Sequence, residues 1–152
     1  MTLSFTVQVT NEKELSASDR QLIRAAREAT QTGYAPYSHF YVGAALLLED
    51  GSIVTGSNQE NVAYPSGLCA ERTALFYAHS RYPHLAVTAL AIAARTNEAF
   101  TPSPVSPCGA CRQVLSELRK ESGRPIRVLL FGTQDVYLIE DAADLLPLAF
   151  NL

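Results

Sequence analysis

The sequence has no surplus of basic residues. Its 152 residues include 12 Lys and Arg against 15 Asp and Glu, which gives a formal net charge of −3 at pH 7. Binding to the phosphate backbone of DNA or RNA requires clustered Lys and Arg side chains, whereas the basic residues here are scattered along the chain. The composition therefore argues against nucleic acid as the main partner and favours a small molecule.

The sequence also lacks an apolar stretch long enough to span a membrane. Its first residues, Met1–Thr10, alternate apolar and polar side chains and lack the basic start and apolar middle of a secretory signal peptide. We therefore expect no membrane partner and a cytoplasmic location.

Cysteine is scarce, with three residues in the chain. An odd number in a reducing compartment favours thiolate or metal chemistry over disulfides. The hydrophobic fraction of 47% and charged fraction of 18% are typical of a folded globular chain. We predict a single domain over residues 1–152, in which residues 1–15 form an extension of unknown role. A mean hydropathy of +0.03 indicates that some surface is buried in an oligomer.

Helices are predicted from capping residues and apolar periodicity. Ser18-Asp19-Arg20-Gln21 has the spacing of a capping box, and Gly33 is expected to stop the first helix in the left-handed conformation. A short helix is expected to end at Pro147. The predicted helices cover residues 19–31, a segment starting near 69, residues 109–121 and residues 144–146.

Strands are predicted where apolar runs are bounded by turn residues. Asp50-Gly51 is typical of a hairpin turn, and the proline-rich segment 95–107 is predicted to be a loop. Strands and helices alternate after this hairpin, which indicates βαβ units and an α/β fold with a mixed sheet covered by helices. The five predicted strands cover residues 41–48, 53–55, 86–94, 126–131 and 136–139.

The three cysteines have the spacing of a metal site. Cys108 and Cys111 form a C-x-x-C motif at the start of a predicted helix, so both sulfurs can contact one tetrahedral ion. Cys69 opens another predicted helix, and free N–H groups at helix N-termini stabilise thiolates. A C-x-x-C motif alone is also compatible with redox activity or simple burial. Because all three cysteines are accounted for together, we expect one Zn²⁺ per chain.

Three protein ligands leave the fourth zinc position open, which is typical of catalytic sites. Glu71 lies two residues after Cys69, and we interpret it as a proton shuttle rather than a ligand. Zinc with three thiolates carries about one negative charge, which weakens its effect on water. We expect Arg72 to offset this charge by donating to the sulfurs, although an arginine on a helix is more often a solvated charge.

These motifs resemble the cytidine deaminase family in its small homotetrameric branch. The resemblance is carried by Cys69-Ala70-Glu71-Arg72 and by the segment Pro107-Cys108-Gly109-Ala110-Cys111-Arg112-Gln113. Segments 37–45, 58–61 and 145–150 are similar as well, so the likeness runs from about Asp19 to Phe150. It implies a three-layer α-β-α sandwich with a central mixed five-stranded sheet. It also implies hydrolytic deamination of cytidine and deoxycytidine in pyrimidine salvage.

The resemblance implies a role for each site residue. Cys69, Cys108 and Cys111 would hold zinc, and Glu71 would move protons between water, the ring nitrogen N3 and the leaving ammonia while C4 is attacked. The amide of Ala70 and the carbonyl of Ser106 would contact the pyrimidine. The three histidines, His39, His79 and His84, do not have the spacing of a zinc ligand, which favours the free-nucleoside branch over nucleic-acid editing enzymes.

By the same resemblance, Asn58 and Glu60 would bind the ribose 3′-hydroxyl and Phe40 would stack on the pyrimidine. A carboxylate there repels a 5′-phosphate, so nucleosides are favoured over nucleotides. The residues alone are also compatible with other roles. Asn58 could stabilise a turn, Glu60 could be an exposed side chain, and Phe40 could be an ordinary core aromatic. Tyr64 is expected to line the pocket.

Phe150 would reach a neighbouring subunit's site in the homotetramer, although a hydrophobic C-terminus can equally dock on its own core.

Three other functions compete with cytidine deamination. They are deamination of another aminopyrimidine such as blasticidin S, editing of RNA or DNA, and a zinc-stabilised binding module without catalysis. Only the last predicts that Glu71 is dispensable.

Overall fold

In the computed structural model, which describes residues 1–152, a six-stranded sheet lies between helices on its two faces. The strand order is β1-β6-β5-β4-β2-β3, with β4 and β5 parallel and the other neighbours antiparallel. Short 3₁₀ helices cover Glu12–Glu14, Thr30–Thr32, Tyr64–Ser66 and Ala142–Leu145. The main elements are β1 (Gln8–Thr10), α1 (Ala17–Ala29), β2 (Tyr41–Leu48), β3 (Ile53–Ser57), α2 (Ala70–Arg81), β4 (Val87–Arg95), α3 (Gly109–Ser122), β5 (Arg127–Phe131) and β6 (Val136–Ile139).

The sheet has one apolar cluster on each face, because its buried strands are apolar at consecutive positions. On one face α1 packs Leu22, Ile23 and Ala26 against the sheet. On the other face α2 and α3 contribute Leu75 and Leu115 to a second cluster. The three-layer α-β-α sandwich is therefore confirmed. No helix combines the length and the apolar character that a bilayer crossing requires.

The sheet has six strands rather than the five predicted. The additional strand, β1, pairs antiparallel with β6, with Val9 opposite Tyr137. The alternation of apolar and polar residues in Met1–Thr10 is the period of a strand. Only the last three residues of this alternating segment pair in the sheet, and its apolar residues Phe5 and Val9 remain exposed, so burial does not reinforce the pattern. Part of the N-terminal extension thus completes the sheet edge.

The two ends of α1 differ from the prediction. The helix is capped by Ser16, whose Oγ accepts from Asp19 N at 3.1 Å, so the capping box predicted at Ser18 is wrong. Asp19 lies three residues after Ser16, as Gln21 does after Ser18, and its negative charge is favourable in the first turn of the helix. Gly33 is extended (φ −62°, ψ 136°), so the predicted left-handed stop is also wrong. Its missing side chain instead makes room for Asn58, whose Oδ1 would lie 2.9 Å from a Cβ.

The remaining helices and strands follow the sequence prediction closely. Cys69 and Cys108 are the N-cap residues of α2 and α3. α2 approaches β3 very closely, because a Cβ on Gly56 would lie 2.6 Å from Ala74 N and 2.8 Å from Ala70 O. A glycine at this strand position therefore sets the distance between the sheet and the first turn of α2.

Candidate metal centre and adjoining cleft

The sheet topology brings two loops to one edge. β3 and β4 both run antiparallel to β2, which lies between them, so β3 and β4 point the same way. The chain leaves β3 towards α2 and leaves β4 towards α3, and both connections therefore start at the same edge. In open α/β sheets this carboxyl-end crevice is where ligands bind. The N-termini of α2 and α3 meet there.

Three thiols converge at these helix N-termini. Cys69 Sγ lies 3.7 Å from Cys108 Sγ, and Cys108 Sγ lies 3.4 Å from Cys111 Sγ. All three sulfurs lie within 4.8 Å of one another, and they are the only such group of potential metal ligands in the chain. Cys111 is buried in the first turn of α3, whereas Cys108 is exposed. The predicted convergence of the three cysteines is confirmed.

The sulfur geometry fits zinc. Four ligands at Zn–S bonds of about 2.3 Å in a tetrahedron place their sulfurs about 3.8 Å apart. The observed separations of 3.7 and 3.4 Å need only small adjustments to reach this arrangement. Two helix N-termini, at Cys69 and Cys108, also supply partial positive charge for the thiolates. Three protein ligands leave one position for a further ligand.

Glu71 lies directly behind the thiols in the first turn of α2 and is 5% exposed. Burial raises the pKa of Glu71 to about 7, and the neighbouring Cys69 sulfur adds to this effect. A carboxyl group with a pKa near neutrality can both accept and donate a proton at working pH. Buried carboxylates without a paired cation are rare outside functional sites.

Arg72 contacts the same cluster. Its terminal Nη2 donates to Cys69 Sγ at 3.7 Å, while its Nε is buried without a hydrogen-bond partner. Donation from Cys111 and from Arg72 lowers the pKa of Cys69 to about 5. The hydrogen bond to Cys69 and burial raise the pKa of Cys111. Cys69 therefore favours the thiolate form, and Arg72 is close enough to compensate for its charge.

A cleft of about 620 Å³ opens beside the thiols. Its walls include Asn58, Glu60 and Tyr64 from the connection after β3, together with Cys69 and Arg72. The cleft therefore joins one wall of the metal centre to the residues that the sequence predicted for sugar binding. Its volume is in the range of small-ligand sites.

Glu60 binds the turn that precedes β2, and Asn58 binds the end of that turn and the start of β2. Asn58 Oδ1 accepts from Val42 N at 2.9 Å, and its Nδ2 donates to Phe40 O at 2.8 Å. Glu60 Oε2 accepts from the backbone N–H groups of Tyr37 (2.9 Å) and Ser38 (3.3 Å). Each side chain retains unused hydrogen-bonding capacity, one N–H on Asn58 and further lone pairs on Glu60. Both therefore hold the turn and can still face a ligand.

Four of the residues predicted to contact the substrate do not line this cleft. Ala70 is fully buried at the first position of α2, and Ser106 is exposed two residues before Cys108. Phe40 is partly buried at the start of β2. Phe150 is 71% exposed, and its carbonyl accepts from Gln113 Nε2 on α3 at 3.1 Å. A single chain thus leaves the Phe150 ring largely uncovered.

Sequence reasoning missed two groups of residues. Tyr37, Ser38, Gln59 and Asn61 also line the cleft, and their positions in the 37–45 and 58–61 motifs were the available signal. Arg112, which follows Cys111, donates to Pro107 O (2.8 Å) and Leu145 O (2.9 Å). These two hydrogen bonds connect the loop before Cys108 to the C-terminal segment. Hydrogen bonds to distant backbone carbonyls leave no sequence pattern.

The fold and the site together define an α/β protein with a three-cysteine centre that fits a catalytic zinc ion. Residues 16–122 match the model of the family described as the cytidine and deoxycytidylate deaminase zinc-binding region. The chain is 52% identical over 101 residues to a cytidine deaminase of Halalkalibacterium halodurans, covering 66% of this chain and 72% of that protein. It is 45% identical over 139 residues to a cytidine deaminase of Sporosarcina psychrophila, covering 86% and 90% of the two chains.

A solved structure agrees with these sequences. The crystal structure of a cytidine deaminase from Burkholderia pseudomallei superposes with a TM-score of 0.73 at 45% identity, covering 86% of this chain and 97% of that one. The chain belongs to the cytidine and deoxycytidylate deaminase family, and the family resemblance seen in its motifs is confirmed.

Proposed function

We propose that this protein removes the exocyclic amino group of cytidine and deoxycytidine by hydrolysis, giving uridine or deoxyuridine and ammonia. The observation that carries this proposal is the convergence of three thiols and the buried carboxyl of Glu71 at two helix N-termini. The similar proteins named above are cytidine deaminases, which supports the choice of substrate. The cytoplasmic location expected from the sequence stays a prediction.

The metal would be held by Cys69, Cys108 and Cys111. When bound, zinc supplies the Lewis acidity that activates water as a nucleophile at neutral pH. The N-termini of α2 and α3 and the guanidinium of Arg72 offset the charge of the thiolates, so that this activation is preserved.

Glu71 would perform the proton transfers. Its carboxylate accepts the proton released from water and delivers it to N3 of the pyrimidine, which makes C4 more electrophilic. The water oxygen would bond to C4, and Glu71 would then take the remaining proton of that oxygen and pass it to the amino group. The C4–N bond would break as the C4 carbonyl forms, and the amine would leave as ammonia. Burial keeps the carboxyl away from bulk water, so its proton is exchanged with the substrate rather than with solvent. The amide of Ala70 and the carbonyl of Ser106 would orient the base.

The cleft favours a nucleoside over a nucleotide. Asn58 and Glu60 would bind the 3′-hydroxyl, which cytidine and deoxycytidine share, and Tyr64 would line the wall. Phe40 would stack on the base. A cytidine 5′-phosphate would bring negative charge towards Glu60, so we expect the monophosphate to be a poor substrate.

The competing aminopyrimidine reaction is tested by offering purified, zinc-loaded protein cytidine and blasticidin S separately. We expect rapid turnover of cytidine and little of blasticidin S, because the Asn58–Glu60 pair suits ribose. Turnover of blasticidin S alone would replace the proposed substrate and leave the metal site intact.

Arg72 is expected to sustain catalysis by compensating thiolate charge. Substituting Arg72→Gln should retain zinc and lower kcat by about tenfold or more, the scale typical of residues that contact metal ligands. The measurement is steady-state kinetics on protein of known zinc content. Arg24→Gln, an exposed arginine on α1, is the matched control and should change neither quantity. An Arg72→Gln enzyme with wild-type kcat would contradict the role.

We further propose a homotetramer in which Phe150 completes the active site of a neighbouring subunit. The Phe150 ring is exposed and is not among the residues that line the cleft of its own chain, which supports this arrangement. Exposed aromatic residues on α2, Phe76 and Tyr77, provide further apolar surface for association.

Subunit mixing tests this sharing. Phe150→Ala and Glu71→Gln homotetramers should each be impaired. Tetramers reassembled from both should recover activity, because a Phe150→Ala chain keeps Glu71 and receives Phe150 from its neighbour. If Phe150 serves its own site, no mixed tetramer contains a complete site built from the two variants, and mixing restores nothing.

A further inference from the structure

The turn between α1 and β2 is held by a chain of side-chain hydrogen bonds centred on Ser38. The Ser38 hydroxyl donates to Glu60 Oε1 and accepts from Phe40 N at 3.1 Å. Its single proton and one of its lone pairs are therefore both used. One small side chain connects the carboxylate proposed to bind the sugar with the residue proposed to stack on the base.

The rest of the turn is fixed by its surroundings. The Phe40 carbonyl is held by Asn58 Nδ2 at 2.8 Å, so Phe40 is fastened at its N–H by Ser38 and at its carbonyl by Asn58. His39, between Ser38 and Phe40, has a φ of 53°, in the left-handed region that non-glycine residues seldom adopt. Such a conformation persists only where neighbouring contacts over-determine it.

Glu60 depends on Ser38 more than on any other side chain. The Ser38 hydroxyl is the main reason that the pKa of Glu60 is lowered, with the backbone N–H groups of Tyr37 and Ser38 contributing less. Without the hydroxyl, Oε1 loses its only protein donor, while Oε2 keeps two backbone contacts. The carboxylate would then be held through Oε2 alone, and the orientation of Oε1 would no longer be fixed.

We propose that Ser38 is a positioning residue that couples the sugar-binding carboxylate of Glu60 to the base-stacking residue Phe40. This inference rests on the proposed function, because it assumes that the cleft binds a nucleoside. The Ser38 hydroxyl touches neither the reacting atoms nor the metal ligands in the contacts described above. Its removal should therefore weaken substrate binding much more than the chemical step.

The test is steady-state kinetics of Ser38→Ala on zinc-loaded protein with cytidine. We expect KM to rise by about tenfold, the effect of one hydrogen bond to a charged group, with kcat changed by about twofold or less. Ser38→Thr keeps the hydroxyl and should restore most of the affinity. With 2′,3′-dideoxycytidine, which lacks the 3′-hydroxyl, the KM ratio between variant and wild type should shrink to about threefold or less, because the Glu60 contribution is gone.

A matched control comes from the hairpin between β2 and β3. Ser52 Oγ also donates to a carboxylate, Asp50 Oδ1, at 2.6 Å, but this turn is remote from the cleft. Ser52→Ala should leave KM and kcat unchanged. A wild-type KM in zinc-loaded Ser38→Ala, or an equal KM increase with cytidine and dideoxycytidine, would overturn the proposal. Absence of cytidine turnover in the wild-type protein would instead overturn the proposed function.

Discussion

Replacing Glu71 by glutamine is expected to abolish turnover while leaving zinc bound. Glutamine has nearly the same shape as glutamate, so it can occupy the buried position behind the thiols, but it cannot accept and return a proton. Loss of general acid–base catalysis at both nitrogen atoms of the substrate should lower kcat by about 10³-fold or more. The measurements are cytidine turnover and zinc content on the same sample.

The control separates this loss from a general effect of removing negative charge. Glu28→Gln, on the exposed side of α1, should keep wild-type kinetics. A zinc-loaded Glu71→Gln protein with appreciable activity would contradict the assigned role. It would also revive the interpretation of the chain as a zinc-stabilised binding module.

The second large effect is expected from Cys108→Ser. Serine is a weaker zinc ligand than a thiolate, and the two remaining sulfurs cannot complete the site, so the variant should lose zinc and all measurable turnover. It should also be less thermally stable and less soluble on expression, because the bound metal links the start of α3 to the start of α2. Wild-type protein treated with a chelator should show the same lowered Tm.

The chelated wild-type protein and the Cys108→Ser variant should differ in their response to added Zn²⁺. Added Zn²⁺ should raise the Tm of chelated wild-type protein and leave that of Cys108→Ser unchanged, because only the wild type has the complete ligand set. Ser103→Ala, in the same loop but away from the sulfurs, should respond like the wild type. Full zinc content in Cys108→Ser would contradict the ligand assignment.

The sequence predicted the layers and the metal centre well for physical reasons that are local. The apolar run Tyr41–Leu48 is followed closely by the turn residues Asp50-Gly51, which favours a buried strand over a helix. Three cysteines at the starts of α2 and α3 together favour a metal site more strongly than the C-x-x-C motif alone. The alternation of strand and helix then determines that β3 and β4 are parallel, so the loops carrying Cys69 and Cys108 meet at one edge. The zinc ligands were predicted from the spacing of the cysteines, and the substrate contacts from the family resemblance.

What the sequence did not predict depends on contacts between distant residues. Apolar and polar residues alternate over Met1–Thr10, but the pattern does not show that only Gln8–Thr10 pair, nor that their partner is β6. The cap of α1 at Ser16 was missed because two serines compete within one turn of sequence. The hydrogen bond between Ser38 and Glu60 joins residues 22 positions apart, and no spacing rule connects them.

Turnover of cytidine by the zinc-loaded protein is the most direct test of the proposed reaction. Purified protein of measured zinc content should be mixed with cytidine, and the loss of the cytosine absorption band should be followed in parallel with ammonia release. We expect rapid conversion to uridine with one zinc per chain, similar conversion of deoxycytidine, and little action on cytidine 5′-monophosphate. A fully zinc-loaded protein that leaves cytidine unchanged would contradict the proposed reaction.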